Sequence, residues 1–226
     1  MGFLKRILSN NPKDQESSRP GQGSFETLSR DELSTHMSIR SYGEFELTDA
    51  IRPSYDLQVI PKQGFRFDQH VDASSGSKTP AVMASVTQHR LLDLFFELID
   101  RLGPVVDVVL ESSHHVHNSH KEMYREHIDT AVLKSILLDF EDLLLNDGCT
   151  GIAVINPKKR QEVQLDEHKL LVMYGRPLDA FVATLIQEDV YPDKNIRFIT
   201  EAEHVHSSSE QMHHQFEILK NRLGID

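Results

Sequence analysis

The chain has 226 residues, enough for one sizeable domain or two small ones, and its 38% apolar content suffices for a core. The formal net charge is −11, and the five Lys/Arg of residues 1–35 are matched there by five Asp/Glu, so the acidic balance belongs to the remainder. An acidic body without a long basic stripe excludes general nucleic-acid binding, a single cysteine excludes an internal disulfide, and no apolar run approaches the roughly 18 residues of a membrane span.

Residues 1–8 are too short and interrupted for a secretory signal, and Arg6 stands where a myristoylation signal needs Ser or Thr. As a short helix they gather Leu4, Ile7 and Leu8 beside Lys5 and Arg6, a weak peripheral membrane contact or a docking point for a protein partner. Residues 9–35 are rich in Ser, Asn, Gln, Pro and Gly without apolar periodicity. The expected organisation is therefore a flexible polar tail over 1–35 and a single α/β domain over 36–226, with order beginning near Ile39 and a cytoplasmic location.

Phe45 and Leu47 alternate with Glu44 and Glu46, and Tyr55, Leu57 and Val59 alternate with Asp56 and Gln58, which predicts two strands with one wet face; Phe65 and Phe67 extend the pattern. The loop 74–80 fails as a phosphate-binding loop because Ser77 and Asp72 occupy its glycine positions, and it reads as a linker. A helix is expected over 86–102, with Leu91, Leu92, Phe95, Leu98, Ile99 and Leu102 on its apolar face and Gly103-Pro104 as its stop. The nearly all-apolar run 105–110 reads as a strand covered on both faces.

A long helix is expected over 118–146, opened by the capping box Ser119-x-x-Glu122, carrying Ile128, Val132, Ile136 and Phe140, and closed by Gly148. Cys149 follows it and fills space. Residues 152–155 read as a buried strand, and Val163, Leu165 and Leu170–Tyr174 as its return. Pro177 opens a helix, residues 196–199 form the last strand, and a closing helix carries Met212, Phe216, Leu219 and Leu223 behind the box Ser207-x-x-Glu210. The alternation of strands and helices predicts an α/β fold with a mixed, mostly parallel sheet flanked by helices and an antiparallel N-terminal edge.

The tripeptide His-Val-His occurs twice, at 115–117 and 204–206, each after an apolar run and before an expected helix. Residues 115–123 and 204–212 share five of nine positions, although their helical stripes drift out of register beyond them. Two His spaced two apart on extended backbone point to one side, so each pair can offer nitrogens to one ion. The expected metal ligands are His115, His117, His120, His204 and His206, with zinc the expected ion, and Glu111, Glu203 and His168 are candidates for proton transfer or ligand orientation.

The spacing His115-x-His117-x-Ser119-His120 partly resembles the His-x-His-x-Asp-His signature of metallo-β-lactamase-fold hydrolases over six residues. That resemblance implies a hydrolytic metal site, but Ser119 stands where the family places the aspartate of its second metal. No zincin motif and no nucleophile elbow is present. With no complete catalytic signature, the first expectation is an interaction or regulatory module with a protein partner. The alternative is a divalent-metal-dependent hydrolase built where the two His-Val-His turns meet, and a third reading is a histidine-based pH sensor.

Overall fold

Apolar side chains alternate along the strand segments, and that alternation decides the architecture of this chain. The structure, a computed structural model, describes residues 23–26, 28–71, 76–114 and 121–225. Helix α1, Arg30–Ser38, opens on a capping box in which the Ser29 hydroxyl accepts from the Glu32 amide and the Glu32 carboxylate accepts from the Ser29 amide. It precedes Ile39, and its buried His36 donates from Nε2 to Pro53 O at 2.8 Å, which ties the helix to the domain. Strands β1 (Ser41–Tyr42) and β2 (Phe45–Glu46) form a small hairpin, and β3 is Ile51–Pro53. The run 55–59, expected as a strand, is turn and bend, with Leu57 at φ 50°.

Then come β4 (Gly64–Val71), β5 (Lys78–Ser85), α2 (Gln88–Asp100), β6 (Val105–Ser112), β7 (Lys121–Asp129), α3 (Thr130–Leu138) and α4 (Glu141–Asn146). The remainder is β8 (Thr150–Asn156), β9 (Gln161–Leu165), β10 (Leu170–Tyr174), α5 (Asp179–Gln187), a 3-10 turn at Ile199–Glu201, β11 (His204–His206) and α6 (Glu210–Arg222).

The seven-stranded sheet has the order β4-β5-β10-β9-β8-β6-β7, and every neighbouring pair in it is antiparallel. This corrects the expectation of a mostly parallel sheet. Strands joined through a helix do run the same way, as the alternation implied: β5 and β6 through α2, β7 and β8 through α3 and α4. None of these pairs is adjacent, because β10, β9 and β8 lie between the first two and β6 between the second two. Hairpins fill the gaps, and hairpins are antiparallel by construction.

The expected helix over 118–146 is also corrected. Residues 121–129 form β7, paired with β6, and the helices begin only at Thr130, where the Asp129 carboxylate caps the amides of Ala131 and Val132. The register slips between Val106 and Val108, where His127 stands at φ 58° and its amide donates to Asp107; such a bulge breaks the alternation that identifies a strand. Residues 196–199 are not a strand. Ile196 and Phe198 instead lie in a strap that packs on Leu170 and Met83. The closing helix is capped by Ser209, whose hydroxyl accepts from Met212, and not by Ser207.

One face of the sheet is buried under helices. Val82, Leu110, Val154, Val163, Leu171 and Met173 meet Leu91, Phe95, Leu98, Leu133, Phe181 and Phe216 in a single cluster. Each such side chain contributes about 1.5–3 kcal/mol by leaving water. The second His-Val-His is itself β11, paired with β3 in a separate two-stranded sheet. No helix among the described residues is long and apolar enough to cross a membrane.

Candidate metal centre

The pairing registers Ser112↔Thr150 and Leu170↔Ser85 bring the end of β6, the start of β8 and the β9–β10 turn to one end of the sheet. The turn is built by Asp166. Its carboxylate accepts from the Leu170 amide at 2.7 Å, its own amide donates to Leu170 O at 3.1 Å, and its carbonyl accepts from Lys169 N at 3.0 Å. Lys169 adopts φ 60° to close it. His168 therefore leaves the sheet end at a fixed angle, and β11 delivers His204 and His206 to meet it.

The imidazoles of His168, His204 and His206 form a nearly regular triangle, with ring centroids 5.0, 4.8 and 5.1 Å apart. One nitrogen of each lies within 4.8 Å of the others. In each ring Nδ1 is already committed. His204 Nδ1 donates to Ala202 O at 2.8 Å, His206 Nδ1 donates to Gly148 O at 2.5 Å, and His168 Nδ1 faces Asp166 Oδ2 at 3.2 Å. A carbonyl oxygen can only accept, so Nδ1 of His204 and His206 carries the proton and Nε2 carries the lone pair. An imidazole held through one nitrogen by a carbonyl or carboxylate, with the other turned toward a common point, is the usual outer support of a metal-bound histidine.

A zinc bonded to three imidazoles at about 2.1 Å in tetrahedral directions would hold the ring centroids roughly 5 Å apart. The observed triangle already has that size. Burial first, and then the neighbouring imidazoles, pull His204 and His206 below the ordinary histidine range despite their carbonyl bonds. Both are therefore neutral at pH 7, the form that binds metal.

The pieces lock together through Gly148. Its amide donates to Ser207 O at 2.7 Å, while Ser207 N donates to Ala50 O at 2.8 Å. A Cβ at Gly148 would run into Ala50 O and lie 2.9 Å from Ser207 O, so only glycine lets β11 approach this closely. Lys169 is buried beside the triangle, its Nζ donating to Thr150 O at 2.9 Å. Burial lowers its pKa to about 8 against the pull of Asp147, Asp166 and Glu167. The crevice beside His168 and Lys169, lined also by Phe45, Arg197 and Phe198, has about 20 Å³, room for one water.

Of the residues expected from the sequence, His204, His206 and His168 come together, the ring of His168 standing beside the other two. His115, His117 and His120 lie outside the described residues. Glu203 does not turn to the triangle: its carboxylate accepts from the Ser24 amide at 2.7 Å. Glu111 accepts from Gln164 Nε2 at 3.0 and 3.1 Å on the sheet face that also carries Val109 and Ala153. The roles of Asp166, Gly148 and Lys169 were not foreseen. A charged Asp-Glu-His-Lys segment between two apolar strand runs was the signal that could have marked the turn.

The chain matches no protein-family model, no curated protein and no solved structure.

Proposed function

We propose that this protein holds one divalent cation, with zinc the best match, on His168, His204 and His206, and that a fourth coordination position left to water gives it hydrolytic chemistry. The observation that carries the reading is the triangle of imidazoles, each tied at Nδ1 by Asp166, Ala202 or Gly148. Three nitrogen ligands and a water are the arrangement of catalytic zinc, in which the metal lowers the water's pKa toward 7. A single cysteine in the chain accords with the reducing, cytoplasmic setting expected from the sequence.

A second reading is supported by the crevice beside His168, whose lining includes neither His204 nor His206, so it does not open onto the whole triangle. In it the ion is a clamp that fastens β11 and β3 to the sheet end, and the protein is the interaction or regulatory module expected first. Zinc titration of the untagged, chelator-stripped chain by calorimetry tests what the two readings share. One equivalent of zinc that the wild type binds and His204→Ala/His206→Ala does not supports the centre, and equal binding by that variant overturns it. Hydrolysis of an activated ester and an activated phosphodiester by the zinc-loaded chain then separates them. A rate that rises through neutral pH and vanishes in the variant supports the hydrolase, and a rate no higher than the variant's leaves the clamp.

A further inference from the structure

The segment that supports His206 also carries Asp147 and Cys149, which belong to a second group of donor atoms. His114, just past β6, Asp147 and Cys149 each place one donor atom within 4.8 Å of the other two. Asp147 is fully buried and the His114 side chain is 4% exposed, whereas Cys149 is partly accessible.

One atom of this set is orphaned. Asp147 Oδ1 is buried without a hydrogen-bond partner, whereas Asp147 Oδ2 stands 3.0 Å from His114 Nε2 as an ion-pair contact. A buried carboxylate oxygen left unpaired is rare in folded proteins, and an ion that belongs beside it is one of the few explanations. The surroundings fix the donors. Ser112 Oγ bonds His114 Nδ1 at 2.8 Å, and the His114 ring stacks on His213 with centroids 4.8 Å apart and packs on Phe216. The Thr150 hydroxyl donates to Asp147 Oδ2. Cys149 is held by its backbone, whose carbonyl accepts from Ser113 N at 2.9 Å.

We infer that His114 Nε2, Asp147 and Cys149 Sγ form a second binding site, selective for a thiophilic divalent cation such as zinc. A nitrogen, an oxygen and a sulfur donor suit zinc, whereas magnesium and calcium take oxygen ligands. On binding, the Cys149 S–H bond breaks, its proton goes to solvent, and the thiolate sulfur donates its pair to the metal. Burial otherwise pushes the Cys149 thiol up, so the metal-free side chain is a thiol at neutral pH and a poor nucleophile. Ligand atoms of tetrahedral zinc lie roughly 3.3–3.7 Å apart, a spacing His114 Nε2 and Asp147 Oδ2 reach by opening slightly from 3.0 Å while Cys149 Sγ, within 4.8 Å of both, moves in. The site shares no ligand with the His168 centre; the two are joined through the backbone of Gly148 and through Thr150, whose carbonyl accepts from Lys169 and whose hydroxyl donates to Asp147.

Because Cys149 is the chain's single cysteine, its alkylation by iodoacetamide reports this site alone. The full chain, stripped of metal, is alkylated with and without saturating zinc, beside His204→Ala/His206→Ala and Cys149→Ser. Zinc is expected to slow alkylation at least tenfold both in the wild type and in the histidine variant. Cobalt is expected to give a thiolate-to-metal charge-transfer band in both, absent from Cys149→Ser, which still binds one ion at the histidines. Unchanged alkylation and no thiolate band overturn the second site, even where the calorimetry finds zinc on the histidines. Protection that disappears in the histidine variant also overturns it, since Cys149 would then be shielded through the His168 centre. Zinc bound by Cys149→Ser but not by the histidine variant leaves the first centre standing, and protection without histidine-dependent binding leaves only the second.

Discussion

Replacing Asp166 by Asn changes one atom and reverses one hydrogen bond. The asparagine oxygen can still accept from the Leu170 amide, so the β9–β10 turn survives. Its amide nitrogen then faces His168 Nδ1, donor against donor, where a carboxylate oxygen stood at 3.2 Å. The ring must rotate or move its proton to Nε2, and either removes a lone pair from the triangle. Changes to such supporting partners typically weaken metal binding by about 10–100-fold. With free zinc at 100 times the wild-type Kd, linkage gives the wild type about 2.7 kcal/mol of added stability, and the variant about 0.4–1.4 kcal/mol. For a chain of 226 residues each kcal/mol moves Tm by about 2–4 °C, so zinc should raise the wild-type Tm by about 5–11 °C and the variant's by about 1–6 °C. The assay is thermal melting of both metal-stripped proteins at matched zinc, with Kd from a competing chelator. An Asp166→Asn protein that binds zinc as tightly as the wild type would refute the argument that Asp166 sets the tautomer of His168.

Glu162 is fully buried on β9 with neither carboxylate oxygen hydrogen-bonded, and burial, then Glu111 and Glu122, hold its pKa well above the carboxylate range. The folded chain keeps this proton to higher pH than the unfolded one, so the group's contribution to stability falls as pH rises from about 4.3 through the folded pKa. Glu162→Gln should match the wild type near pH 4 and exceed it by about 1–3 kcal/mol at pH 8 in urea melts; equal curves at both pH values would count against a buried proton there. Lys169 runs the opposite way: with a folded pKa of about 8, the unfolded chain binds more protons between pH 8 and 10.5, and stability rises with pH across that window by on the order of 3 kcal/mol. Lys169→Met should abolish that rise in the metal-free protein, as followed by chemical denaturation. Gly148→Ala should cost about 1–3 kcal/mol and displace His206, seen as a lower Tm and lost zinc binding together; a normal zinc response would show that β11 tolerates the shift.

Part of the candidate site and part of the sheet were legible in the sequence. The pairing of His204 with His206 was visible, because imidazoles two apart on extended backbone share a side and β11 is extended, whereas His168 was read as a candidate for proton transfer. Their meeting was not visible, since it depends on Gly148 admitting β11 against residues nearly 60 positions earlier. The helices at Gln88–Asp100 and Asp179–Gln187 and the strands at 105–112 and 150–156 follow from apolar spacing. Strand β7 was hidden because an edge strand is kept polar, here with Lys121, Glu122, Arg125 and Glu126, and its bulge shifts the alternation. The parallel reading failed on a point of order. Helical crossovers fix the direction of the strands they join but not which strands lie between them.

Zinc content of the untagged chain after equilibrium dialysis tests the metal centre most directly. The account predicts that wild-type protein holds one more zinc per chain than His204→Ala/His206→Ala under identical dialysis. Equal zinc in the two proteins, or none in the wild type, would contradict it.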